Sequence, residues 1–165
     1  MTLWRCTRVR APGDPRGGVG QPYQRYTLGF TLPPKRHPVA IMVVMSWRVL
    51  VVDDDPAFRG LAGRMLGACG LALAGEAGSV AAAIAAACAL RPSAFLVDIG
   101  LPDGDGITLA GRLTALPWRP LVVLTSSDSE AATPADVERC GATAFVPKDQ
   151  LPNAPLHSLL GSRGA

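Results

Sequence analysis

"RVLVVDDDPAF", Arg48 to Phe58, sets three aspartates directly behind a run of four aliphatic residues. Carboxylates placed side by side repel one another, so gathering them at the end of a buried strand calls for a cation nearby. The aliphatic run is continuous rather than alternating, which marks a strand covered on both faces. Such strands belong to parallel sheets with helical crossovers. The same texture returns in "LALAGEA", "AFLVDI", "PLVVLTS" and "ATAFVP", with helix-like segments between them. The order of elements predicts an α/β fold, a doubly wound five-stranded parallel sheet.

The helices carry readable punctuation. Asp55 is placed to cap the first, with Pro56 in its first turn, and Phe58, Leu61, Met65, Leu66 and Cys69 form one apolar stripe closed by Gly70. Ser79 caps an Ala-rich second helix that stops by Arg91 and Pro92. Leu109, Leu113 and Leu116 mark the inner face of a third, ended by Pro117. Thr133, Pro134, Asp136 and Gly141 mark the start and end of a fourth. Pro152 and Pro155 leave room only for a shortened last helix.

Charge divides the 165 residues unevenly. Residues 1–45 hold seven Lys/Arg against one acid, whereas residues 46–165 hold nine against twelve. The folded part is thus mildly acidic, and direct DNA binding is not expected of it. Residues 1–45, rich in Pro, Gly and Arg without helical or strand period, are expected to be a disordered basic extension. Met45 stands directly before "SWRVLVV", so translation starting there is the other reading of that segment. The apolar stretch His37 to Trp47 is far shorter than the roughly 20 residues a bilayer span requires, and no small-residue cleavage site follows it. Cys6, Cys69, Cys88 and Cys140 are scattered without a C-x-x-C pair or a His cluster, so thiol metal sites and disulfide frameworks gain no support. A cytoplasmic protein with no membrane partner is expected.

In doubly wound sheets, ligands gather beyond the carboxyl ends of the strands. There the sequence puts Asp53, Asp54 and Asp55 after the first strand, Asp98 at the third, Thr125 at the fourth, and Lys148 after the fifth. Oxygen ligands of this kind with room for water suit Mg²⁺. A lone strand-end aspartate is commonly a helix cap, and Asp55 reads as one; an adjacent pair joined by a third from another strand reads as a cation site. Lys148 is the only lysine after Lys35 in a chain that otherwise uses arginine, which suits a compact point charge, although composition alone equally allows an ordinary surface lysine. Metal, ammonium and hydroxyl around a carboxylate make an anion clamp, and a carboxylate can attack phosphorus to give an acyl phosphate.

Four motifs, "VLVVDDDPAF", "FLVDIGLPDGDG", "VVLTSS" and "GATAFVPKD", carry a resemblance. From Trp47 to about Leu160 the chain resembles the receiver domain of two-component response regulators, the CheY-like superfamily, so that residues 46–165 are expected to form one receiver domain. The resemblance implies a flavodoxin-like sheet of strand order 2-1-3-4-5. It implies that Asp98 accepts a phosphoryl group from a phosphohistidine on a sensor histidine kinase or a histidine phosphotransfer protein. Asp54 and Asp98 would hold Mg²⁺ directly, Asp53 through water, and the Gly100 carbonyl would contribute. Lys148 would pair with the phosphoryl oxygens, Thr125 would swing to the new phosphate, and Phe145 would move inward into the space Thr125 leaves. Pro102 would shape the loop after Asp98.

The chain ends at Ala165 without an output domain after the receiver motifs, so a stand-alone receiver is expected, not a turnover enzyme, signalling by docking to an unknown protein target or by phosphorelay. The shortened last helix departs from the family's usual signalling surface. Gly100, two residues after Asp98, offers no side chain to orient an attacking water, so slow loss of the phosphoryl group is expected. Rival readings fare less well. A haloacid dehalogenase-type phosphatase would want a second acid where Gly100 stands, and no G-x-G-x-x-G follows the first strand for a dinucleotide. A receiver-like interaction module that works without phosphorylation is the alternative, and the intact set of Asp53, Asp54, Asp98, Thr125 and Lys148 argues against it.

Overall fold

The aliphatic runs do become parallel strands. In the computed structural model, which describes residues 47–161, β1 (Arg48–Val52), β2 (Ala72–Ala77), β3 (Ala94–Asp98), β6 (Leu121–Ser126) and β7 (Ala144–Pro147) form one sheet in the order β2-β1-β3-β6-β7. Neighbours in this sheet are parallel throughout. With the small hairpin β4 (Gly100–Leu101) and β5 (Gly104–Asp105) set apart as its own antiparallel pair, this is the expected 2-1-3-4-5 order. The extension expected to be disordered, residues 1–45, and the choice of start codon lie outside the described residues.

Alternation along each strand feeds two cores. Leu50, Val52, Phe95, Val97, Val122 and Leu124 pack on one face with residues of α2 (Val80–Leu90) and α3 (Gly106–Thr114). Val49, Val51, Leu96 and Val123 pack on the other with Ala62 and Leu66 of α1 (Pro56–Ala68) and Leu156 and Leu160 of α5 (Leu156–Leu160). Burying such a side chain contributes about 1.5–3 kcal/mol, so a sheet lined on both faces can hold a polar rim rigid.

The caps fall where the sequence places them. Asp55 accepts from the Ala57 amide at the head of α1, Ser79 from the Ala82 amide at α2, and Thr133 with Asp136 forms a reciprocal capping box on α4 (Pro134–Cys140). Gly141 ends α4 at φ 71°. The last helix is short as expected; Pro152 joins a single 3₁₀ turn, Leu151–Asn153, ahead of it.

Three details differ from expectation. Leu61 is 43 % exposed, and Ala62 takes the inward place in the α1 stripe, because at 100° per residue the series 58, 62, 66, 69 runs closer to one face. α3 ends at Thr114 rather than against Pro117, leaving Leu116 to pack from the following turn. The hairpin Gly100–Asp105 has no aliphatic signature and went unforeseen.

Candidate phosphoacceptor and cation site

Strand register assembles the site. Val52 pairs with Val97, so the next residues of β1 and β3, Asp53 and Asp98, emerge together; Asp98 in turn pairs with Thr125. Ser126 pairs with Pro147, and the Lys148 amide donates to the Ser126 carbonyl at 2.9 Å, so the lysine leaves the sheet at the same edge. Residues almost a hundred positions apart thereby meet on one rim.

One ligand oxygen from each of Asp53, Asp54 and Asp98 lies within 4.8 Å of the others. Asp53 is wholly buried and Asp98 nearly so, while Asp54 is exposed. Asp53 Oδ1 accepts from the Asp55 amide at 2.9 Å, which turns the acidic loop toward α1. The Lys148 ammonium bridges the set, 2.6 Å from Asp53 Oδ2 and 3.3 Å from Asp98 Oδ1. The shorter contact is an ion pair in which the buried Oδ2 meets the ammonium off the best hydrogen-bond angle. Burial pushes the Asp98 carboxyl above its ordinary range; Lys148 opposes this, and the Asp53 and Asp54 charges reinforce it. Burial alone would lower Lys148, yet contact with Asp53 and Asp98 outweighs it and holds the ammonium above the usual lysine value.

The donor set fits a hard divalent cation: three carboxylates on a partly open rim, with one ammonium shared between two of them. Thr125 supplies a second unmet demand. Its Oγ1 is buried with no hydrogen-bond partner, a condition that costs about 1–3 kcal/mol and calls for an acceptor to arrive. A Cβ built on Gly100 would stand 3.6 Å from Asp98 Oδ2, so that position faces the carboxylate at ordinary contact distance. Phe145 sits half-buried on β7 opposite Leu124, one step before the register partner of Thr125. Grooves of about 490 and 360 Å³ flank it, and neither is lined by the acidic cluster. Pro102 and Asp103 fall between the two hairpin strands, and Asp103 accepts from the Val80 and Ala81 amides at the head of α2.

Two participants were missed by sequence reasoning. The Phe58 ring, assigned only to the apolar stripe, lies 4.4 Å from the Lys148 ammonium, a cation–π contact that steadies it. Arg59 donates to the Asp53 and Asp54 carbonyls at 2.7 and 3.3 Å and pairs with Glu76 at 3.0 Å. The available signal was its place one turn inside a helix that starts at the acidic loop.

Comparison with known proteins agrees with this fold. Residues 49–159 match the response regulator receiver domain family, and the chain belongs to it. It is 34 % identical over 109 residues to protein-glutamate methylesterase/protein-glutamine glutaminase 3 of Hahella chejuensis, covering 65 % of this chain and 31 % of that protein. It is 40 % identical over 104 residues to the DNA-binding transcriptional activator DevR/DosR of Mycobacterium tuberculosis, covering 62 % and 48 %. The chain therefore spans less than half the length of these relatives. Among solved structures, the signal receiver domain of the response regulator NarL from Mycobacterium tuberculosis superposes with TM-score 0.59 at 30 % identity, over 68 % of this chain and 92 % of that one. Chemotaxis response regulator CheY4 of Vibrio cholerae, at 18 % identity and TM-score 0.59 over 70 % and 99 %, shares the fold. Phosphorylation on aspartate and Mg²⁺ binding are general features of the family. Among the described residues, no helix is long and apolar enough to cross a membrane.

Proposed function

We propose that this protein receives a phosphoryl group on Asp98 from a phosphohistidine of a sensor histidine kinase or histidine phosphotransfer protein, and signals by docking to a protein target or by passing the group on. The observation that carries the reading is Lys148 bridging Asp53 and Asp98 beside Asp54, with an unsatisfied Thr125 hydroxyl on the paired strand. Asp53, Asp54, Asp98 and the Gly100 carbonyl would hold Mg²⁺. Bound there, the ion would supply the countercharge that lets a phosphoryl group come close to a carboxylate. An Asp98 oxygen attacks phosphorus as the P–N bond breaks; the imidazole leaves with that electron pair and takes up a proton. Lys148, already held against Asp98, pairs with a phosphoryl oxygen, and Thr125 turns its hydroxyl to another. The largely buried setting of Asp98 keeps these charges from being screened by water. Phe145, between two grooves, is the side chain whose inward movement would reshape a docking surface.

Incubation with Mg²⁺ and acetyl phosphate, followed by intact mass, should show a single added phosphoryl group that Asp98→Asn lacks. A wild type that stays unmodified by both acetyl phosphate and phosphorylated kinases would instead support an interaction module independent of phosphorylation.

A further inference from the structure

The acidic rim is held from behind by a group that none of the proposed roles uses. The Arg59 guanidinium, 19 % exposed, spends Nη1 on the main-chain carbonyls of Asp53 and Asp54 and Nε on Glu76 Oε2 of β2. We propose that Arg59 is a positioning residue for the cation site: by clasping the two carbonyls it fixes the loop so that the Asp54 carboxylate faces Asp98, and Glu76 in turn orients Arg59. The inference rests on the proposed Mg²⁺ site and extends it to residues outside the acidic cluster.

Two effects of Arg59 on a bound cation oppose each other, which makes the idea testable by sign. As a positive charge near the rim, Arg59 repels Mg²⁺, and removing it should tighten binding. As a clasp on the loop, it preorganises the ligands, and loss of such outer support commonly weakens metal affinity tenfold or more. Lysine keeps the charge, but its single ammonium cannot reproduce the guanidinium fork that reaches two carbonyls and a carboxylate at once.

The test is Mg²⁺ affinity by titration calorimetry at constant ionic strength, with amide chemical shifts of Asp54 and Asp55 recorded without metal. Arg59→Lys and Arg59→Met are both expected to weaken binding by about tenfold, with Glu76→Gln smaller in the same direction and the two amides displaced. Ser93→Ala, which removes the hydrogen bonds to Arg48 at the opposite, amino-terminal edge of the sheet, should leave affinity unchanged; an equal loss there would overturn a positioning role. Unchanged affinity in Arg59→Lys, or tighter binding in Arg59→Met, overturns the proposal while leaving the Mg²⁺ site intact. A wild type that takes up no Mg²⁺ overturns it together with the reading on which it rests. Should Arg59→Met fail to fold, Arg59→Lys and Glu76→Gln decide.

Discussion

Two glycines flank the proposed phosphoacceptor, and their surroundings give them opposite meanings. A Cβ on Gly106 would collide with the Asp98 carbonyl oxygen and stand 2.6 Å from Ile99 Cα, all of it backbone that cannot step aside. Gly106→Ala should therefore cost on the order of 3 kcal/mol by forced overpacking, read as a lower urea midpoint. An unchanged midpoint would mean that the α3 head moves freely away from β3. Gly100 is open instead: the built Cβ meets only Asp98 Oδ2, at 3.6 Å. Gly100→Asn should fold like wild type yet bring an amide beside the acyl phosphate, where it can orient water. Its phosphoryl half-life should shorten several-fold, about 1 kcal/mol in barrier, measured as decay of the intact-mass adduct. An equal or longer half-life would remove the argument that the bare position slows hydrolysis.

At the scale of elements, helix starts were the most legible part of the chain, because a cap is a contact between residues two or three apart and needs no knowledge of the fold. Asp55, Ser79 and Thr133 could be named from local pattern alone. The inward face of α1 was harder to read: Leu61 outranks Ala62 in hydrophobicity, but Ala62 is the one pointing at the sheet. The hairpin at Gly100–Asp105 stayed hidden since glycines and an aspartate mark a loop as readily as a ladder. In α4 the cap carries unusual weight, for the helix has only seven residues. Hydrogen bonds from Thr133, then Arg139, hold the Asp136 carboxyl down at about 2 from its ordinary 3.8. A carboxylate depressed in the folded state stabilises fully above its unfolded value and loses that contribution as pH falls through the folded one. The urea-midpoint difference between wild type and Asp136→Ala should thus be constant above pH 3.8 and narrow between there and about 2. A difference that does not change with pH would assign the cap to the Thr133 hydroxyl alone.

For the molecule as a whole, the sheet order decides which residues meet, and that order was not in the strand pattern. Five buried strands with crossovers admit several arrangements; the order 2-1-3-4-5 came from resemblance, and it is what sets β1 beside β3 and so Asp53 beside Asp98. The carboxylates and the lone late lysine could be named because an adjacent acidic pair, a third strand-end acid and a single lysine stand out together, although each alone reads as a cap or a surface charge. Phe58 read only as packing, and Arg59 left a positional trace alone, one turn into the helix after the acidic loop. The cost of the gathering is electrostatic. Burial does most to lift the Asp98 carboxyl; Lys148 draws it down by more than Asp53 and Asp54 push it up, so the ammonium is what lets the like charges share the rim. Removing one acid should then have opposite effects with and without metal. In chelator, Asp54→Ala should melt above wild type, because a like charge is gone from the rim. With Mg²⁺ at a hundredfold excess over its dissociation constant, wild type should gain about 2.7 kcal/mol, a rise on the order of 10 °C for a domain of this size. The variant, lacking an exposed ligand, should gain little, so the order of the two melting temperatures inverts. Matching NaCl at constant ionic strength separates this from simple screening. If Asp54→Ala melted lower in chelator and kept the full Mg²⁺ response, the acids would not be in mutual repulsion and Asp54 would not be holding the ion.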